Sequence, residues 1–306
     1  MKKFFPLLLC LLLGGTALSG CQGASTSGKH MTNEDLANAF GELQSPVWQN
    51  SVFSWENAFL LPEREEDISF VMNTLNIGAI YQHIASDTDD KTILDFLARR
   101  HQQQHEVFYV TGESDWALPE NQSKLMAAID RVVRWNEQAS DGSGFAGIVW
   151  DIEPHQLDNW EQDTAYLMRF YAANIVDAYD VATAKGLKII VCIPIFFDRE
   201  DLIDQLEYIV NEGSDAIAVM NYDKKDEAGQ LETKVSLARL YNKGIIHITE
   251  MQPPGVYELT DQNTYYHDGV EAVLASWQHL KETFDYDQLG FSWHYLKPLI
   301  EILQDS

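Results

Sequence analysis

Two carboxylates one residue apart close an apolar run at Gly147-Ile148-Val149-Trp150-Asp151-Ile152-Glu153-Pro154. Side chains alternate across a strand, so Asp151 and Glu153 point to one side and Trp150 to the other. Two acids held together repel, and one of them keeps its proton towards neutrality. Such a pair can supply a general acid that protonates a leaving group. The same spacing also occurs as a helix cap followed by solvated loop acids, so its meaning depends on the elements that carry it.

Those elements alternate. Strand-like runs are expected at Val52–Phe59, Ile77–His83, Glu106–Thr111, Phe145–Asp151, Leu187–Ile195, Ala216–Tyr222, Gly244–Thr249 and Gln288–Trp293. Helical patterns are expected between them, at Glu65–Leu75, Lys91–Gln103, Gln122–Glu137, Trp160–Lys185, Arg199–Asn211, Leu231–Tyr241 and Gly269–Phe284, with Leu296–Leu303 last. Eight strand–helix units with short apolar strands imply one α/β domain, a (β/α)8 TIM barrel spanning residues 35–306. An open doubly wound sheet is the rival, but no glycine-rich phosphate loop follows the first strand. Asn33–Phe40 is expected to add a helix across the barrel floor.

Barrel sites sit at the C-terminal strand ends. Those ends offer Trp55, Glu56, Tyr81, Trp116, Asp151, Glu153, Met220, Asn221, Tyr222, Asp223, Glu250 and Trp293, with His155, His294 and Tyr295 close by. Acids and aromatics dominate this rim, and Lys and Arg are nearly absent. Carboxylates for catalysis and flat rings for stacking on pyranose sugars suit glycoside hydrolysis. Phosphate chemistry would want cationic clamps. His101 and His105 have the spacing of a metal pair but lack an acid at ligand spacing, so no metal is expected, and no cofactor is implied.

Two motifs carry a resemblance to the family 18 glycoside hydrolases, the chitinase and endo-N-acetylglucosaminidase group. The family's fourth strand reads D-G-x-D-x-D-x-E, against Ala146-Gly147-Ile148-Val149-Trp150-Asp151-Ile152-Glu153 here; its sixth carries M-x-Y-D, against Met220-Asn221-Tyr222-Asp223. The resemblance implies Glu153 as the acid on the glycosidic oxygen and Asp151 as the orienter of an N-acetyl group that attacks the anomeric carbon. It further implies that Tyr222 and Asp223 bind that acetamido group and that Trp293 floors the reacting sugar. Trp55, Glu56, Tyr81, Trp116, Met220 and Asn221 would line the substrate. Ala146 and Val149 replace two family aspartates, and the loss at Val149 removes a charge next to Asp151.

Glu153 and Glu250 also fit a second chemistry, in which a strand-four acid faces a strand-seven nucleophile across the barrel and neutral hexose polymers are cut. A third outcome is a glycan-binding protein without activity.

The chain begins with Lys2-Lys3, an apolar stretch Phe4–Leu13 and Leu18-Ser19-Gly20-Cys21, which resembles the lipobox of bacterial lipoproteins. That resemblance implies cleavage after residue 20, a lipid on Cys21 and a flexible tether over residues 21–34. The apolar stretch is shorter than the roughly 20 residues of a membrane span. An extracytoplasmic, membrane-anchored protein is expected, on the outer membrane where one exists. Of three cysteines only Cys192 then remains free, which excludes an internal disulfide. A net charge of −26 disfavours nucleic acid and other polyanions, leaving carbohydrate as the expected partner.

Overall fold

The computed structural model describes residues 30–43, 45–140 and 142–304. The signal segment, Cys21 and most of the tether lie outside the described residues. Among the described residues eight strands form a closed parallel barrel in sequence order: β1 (Asn50–Ser54), β2 (Ala79–Gln82), β3 (Glu106–Thr111), β4 (Gly147–Trp150), β5 (Lys188–Pro194), β6 (Ala216–Met220), β7 (Gly244–Glu250) and β8 (Leu289–His294), with β8 closing on β1. Helix α1 (Asn33–Gly41) precedes them. Around the barrel run α2 (Glu65–Thr74), α3 (Asp90–Gln102), α4 (Gln122–Gln138), α5 (Trp160–Thr183), α6 (Ile203–Glu212), α7 (Glu227–Leu240), α8 (Gly269–Phe284) and α9 (Leu296–Gln304). The expected (β/α)8 barrel is the fold.

Strand alternation sorts the side chains into two cores. Phe53, Tyr81, Phe108, Val110, Val149, Ile190, Cys192 and Ile246 fill the barrel interior. Val52, Ile80, Tyr109, Ile148, Trp150, Phe291 and Trp293 face outward into the layer under the helices. The floor is plugged by Gln49, fully buried, whose amide Nε2 donates to the Gln288 carbonyl at 3.0 Å. A Cβ at Gly290 would fall onto Gln49, so only glycine fits where β8 passes the plug.

Several element bounds shift from expectation, and two of the shifts matter at the mouth. The first strand stops at Ser54 because Asn57–Leu60 turns into a short 3-10 helix that sinks Phe59 and Leu60 into the outer core. The last strand runs one residue further, to His294. Helix α1 starts two residues inside the expected tether, with a Thr32–Asp35 capping box. It descends the barrel's flank rather than covering the floor: Met31 N–H donates to Glu271 in the first turn of α8, while Phe40 packs edge-on against Trp277 and Trp293.

Candidate active site

The fourth strand delivers its acids as alternation requires. Val149 lies in the interior core, Trp150 and Ile152 in the outer one, and Asp151 and Glu153 emerge inward above Val149. The Asp151 N–H donates to the Thr111 carbonyl at 3.0 Å, holding the strand end against β3. Pro154 then starts a one-turn 3-10 helix (Pro154–Gln156) that folds His155 back over Glu153. His155 Nε2 lies 3.2 Å from Glu153 Oε2, and its ring stands edge-on to Phe196 at 5.2 Å.

Burial and the Glu153 charge raise the Asp151 pKa to about 7, against partial relief from His294 and Cys192. For Glu153, burial pulls upward too, but hydrogen bonding and charge from His155, with Gln156 and His294, win and lower it. The pair therefore splits as like charges do, with the resting proton on Asp151. The acid that keeps its proton is therefore Asp151, not Glu153, the group the resemblance implies as proton donor. Burial, then Glu250, Asp151, Cys192 and Glu153, hold the Tyr222 phenol well above its ordinary pKa, so it remains a donor.

The opposite wall comes from β7 and β8. Glu250, 3% exposed, accepts from the main-chain N–H groups of Met251 (2.9 Å) and Gln252 (2.8 Å), both on Oε1. Its Oε2 accepts from Gln252 Nε2 at 3.2 Å and lies 2.8 Å from His294 Nδ1. A carboxylate accepts only, so His294 carries its proton on Nδ1 there. Trp55 Nε1 donates to His294 Nε2 at 3.1 Å, its ring stacks on Phe53, and Tyr222 lies over His294 at 5.7 Å between ring centres. Glu250 thus braces His294 and is itself held by four hydrogen bonds.

Several expected substrate contacts point elsewhere. Trp293 is 1% exposed and packs on Phe40 and Trp277 behind the barrel, because the inward residue at the end of β8 is His294. Trp116 sits edge-on to Trp150 in the outer layer. Tyr81 faces inward but is fully buried, and its hydroxyl donates to the Trp48 carbonyl near the floor at 2.8 Å. Asn221 turns outward between Met220 and Tyr222, donating to the Glu227 carbonyl and lying 3.3 Å from His247 Nδ1. Asp223 Oδ1 accepts from Lys225 N–H and Gln262 Nε2, which makes it a loop brace.

Trp55 and Tyr222 join Asp151 and Glu153 at the mouth, with Met220 against the interior core beneath. Glu56 borders it beside Tyr295, whose pKa is pushed to about 12 by burial and then by Glu56. His294 is the rim residue to which the sequence assigned no role. The small or polar Gly290, Ser292 and His294 alternate with bulky Leu289, Phe291 and Trp293, and that pattern already assigns the bulky set to the helix layer.

No protein-family model matches the chain, and no curated protein matches it. Solved structures do. The spore cortex-lytic enzyme SleL of Bacillus megaterium QM B1551 superposes with a TM-score of 0.54 at 12% identity, over 83% of this chain and 72% of that one. A chitinase from Chromobacterium violaceum ATCC 12472 gives 0.50 at 12% identity, over 83% and 98%. Catalytic domain 2 of an Ostrinia furnacalis group II chitinase gives 0.43 at 13%, over 67% of this chain; the chain spans 64% of that one, just under two thirds. At such identities the first two likenesses show a shared fold: a (β/α)8 barrel of the kind found in chitinases and a cortex-lytic enzyme.

Proposed function

We propose that the chain is a glycoside hydrolase that cuts a glycan containing N-acetylhexosamine, anchored outside the cytoplasm by a lipid on Cys21. One observation carries the reading: Asp151 and Glu153 share a mouth, are displaced in opposite directions, and lie beside a phenol that stays protonated. Substrate-assisted cleavage needs those parts. Tyr222 donates to the acetamido carbonyl and Asp151 accepts from its N–H. The carbonyl oxygen attacks the anomeric carbon as Glu153 gives a proton to the departing glycosidic oxygen.

For this, the proton resting on Asp151 passes to Glu153 when the sugar arrives. An ionised Asp151 then faces the positive charge of the oxazolinium formed. Water opens that ring, with Glu153 now acting as base, and the configuration at the anomeric carbon is retained.

Oligosaccharides that differ only at the reacting sugar test the reading. An N-acetylglucosamine oligomer should be hydrolysed at least about a hundredfold faster than its free-amine analogue, because only the first carries its own well-placed nucleophile. Equal cleavage of both, or of an unsubstituted glucan, would remove the substrate-assisted route.

A further inference from the structure

The family that the fourth strand resembles keeps an aspartate where this chain has Val149. Here that position is fully buried among apolar side chains. On the adjacent strand β5, Cys192 is 1% exposed, and burial, then the nearby carboxylates, push its thiol well above the ordinary range. Neither residue can carry charge next to Asp151. His155 acts on Glu153 alone; the charge-capable group that bears on both carboxylates is His294 on the far wall.

Its setting is specific. Glu250 is immobilised by two main-chain N–H groups and the Gln252 amide, and it holds His294 Nδ1 at 2.8 Å. Trp55 approaches Nε2 with an N–H, which only a neutral ring accepts. The groups facing the ring are Glu250 from β7, Asp151 and Glu153 from the end of β4, Tyr222 from the end of β6 and Trp55 from the end of β1, with Tyr295 adjacent in sequence. Trp55 therefore favours the neutral ring and three carboxylates favour the charged one.

We propose that His294, clamped by Glu250, is the positioning residue that sets the charge of the Asp151–Glu153 pair, a role that Val149 and Cys192 cannot take. A proton on His294 lets both carboxylates ionise; a neutral His294 leaves one proton on Asp151. Burial opposes the charged ring, yet Glu250, then Asp151 and Glu153, outweigh it and raise the His294 pKa. Coupling of this kind is reciprocal, so neutralising either carboxylate must weaken proton binding at His294. The role in catalysis rests on the glycosidase reading; the coupling itself does not.

The test is NMR titration of the histidine ring signals of the full mature chain, with His294 assigned by the signal lost in His294→Gln. His294 should titrate above a free imidazole, and Asp151→Asn should bring it down by at least about 0.5 pH unit. Glu250→Gln should bring it down further. Once a substrate is in hand, His294→Gln should move the acid limb of kcat/KM upward by a similar amount with KM within about threefold. A His294 titration that Asp151→Asn leaves in place overturns the proposal, whether or not any sugar is cut. Intact coupling in a protein that cuts no glycan would overturn only the glycosidase reading.

Discussion

His155 Nε2 lies 3.2 Å from Glu153 Oε2, and this contact separates two carboxylates that strand geometry alone would leave equivalent. Asp151 has only weaker relief, from the His294 charge and a hydrogen bond with Cys192, and keeps the proton. Replacing His155 by phenylalanine removes the influence that holds Glu153 low, so the Glu153 pKa should rise and the lead of Asp151 as proton holder should shrink. Carboxyl carbon NMR of the two residues checks this. An unchanged Glu153 titration in His155→Phe would show that the contact does not govern the split.

Asp151 also ties stability to pH. Its ordinary pKa of 3.8 applies to the unfolded chain, whereas the folded value is about 7. Between these the folded state holds the extra proton, so this group's contribution falls as pH rises through that window and is lost above it. Asp151→Asn should therefore raise Tm at about pH 8 by an amount corresponding to on the order of 2–4 kcal/mol, and leave it nearly unchanged at about pH 4. Thermal unfolding at the two pH values reads the difference; a gain of equal size at both would contradict it.

Trp293 and Trp55 should behave as opposites. Trp293 fills the outer core with Phe40 and Trp277, so Trp293→Ala should cost about 3–5 kcal/mol of stability. Trp55 stands at the mouth on Phe53 and His294. Trp55→Ala should weaken oligosaccharide binding by about tenfold, as expected for a lost stacking face, with a smaller stability cost. Chemical denaturation and calorimetric binding titration separate the two effects.

The barrel was legible because its signal is local. Buried parallel strands are continuous apolar runs, and each is followed by a helical period, as at Glu106–Thr111 and Gly269–Phe284, whose bounds agree with expectation. The acid pair was legible for the same reason: alternation places Val149, Asp151 and Glu153 inward whatever lies around them. The same rule, applied to the sixth and eighth strands, turns Asn221 and Trp293 outward, and there a family motif pulled the reading the other way. Tyr81 and Glu250 were beyond reach of pattern. Both face inward, but whether an inward side chain meets substrate depends on its depth and on partners distant in sequence, Trp48 for one and His294 for the other. The His155–Glu153 contact was visible only as a possibility of spacing, since a 3-10 turn decides it.

The central claim is that Glu153 delivers the proton to a glycosidic oxygen. Its most direct test is Glu153→Gln, compared with the unaltered chain on N-acetylglucosamine oligosaccharides by reducing-end release and by binding. The account predicts a loss of about 10²–10⁴-fold in kcat with affinity within a few-fold, because the amide keeps the shape and loses the transferable proton. Cleavage that persists at the original rate in Glu153→Gln would contradict it.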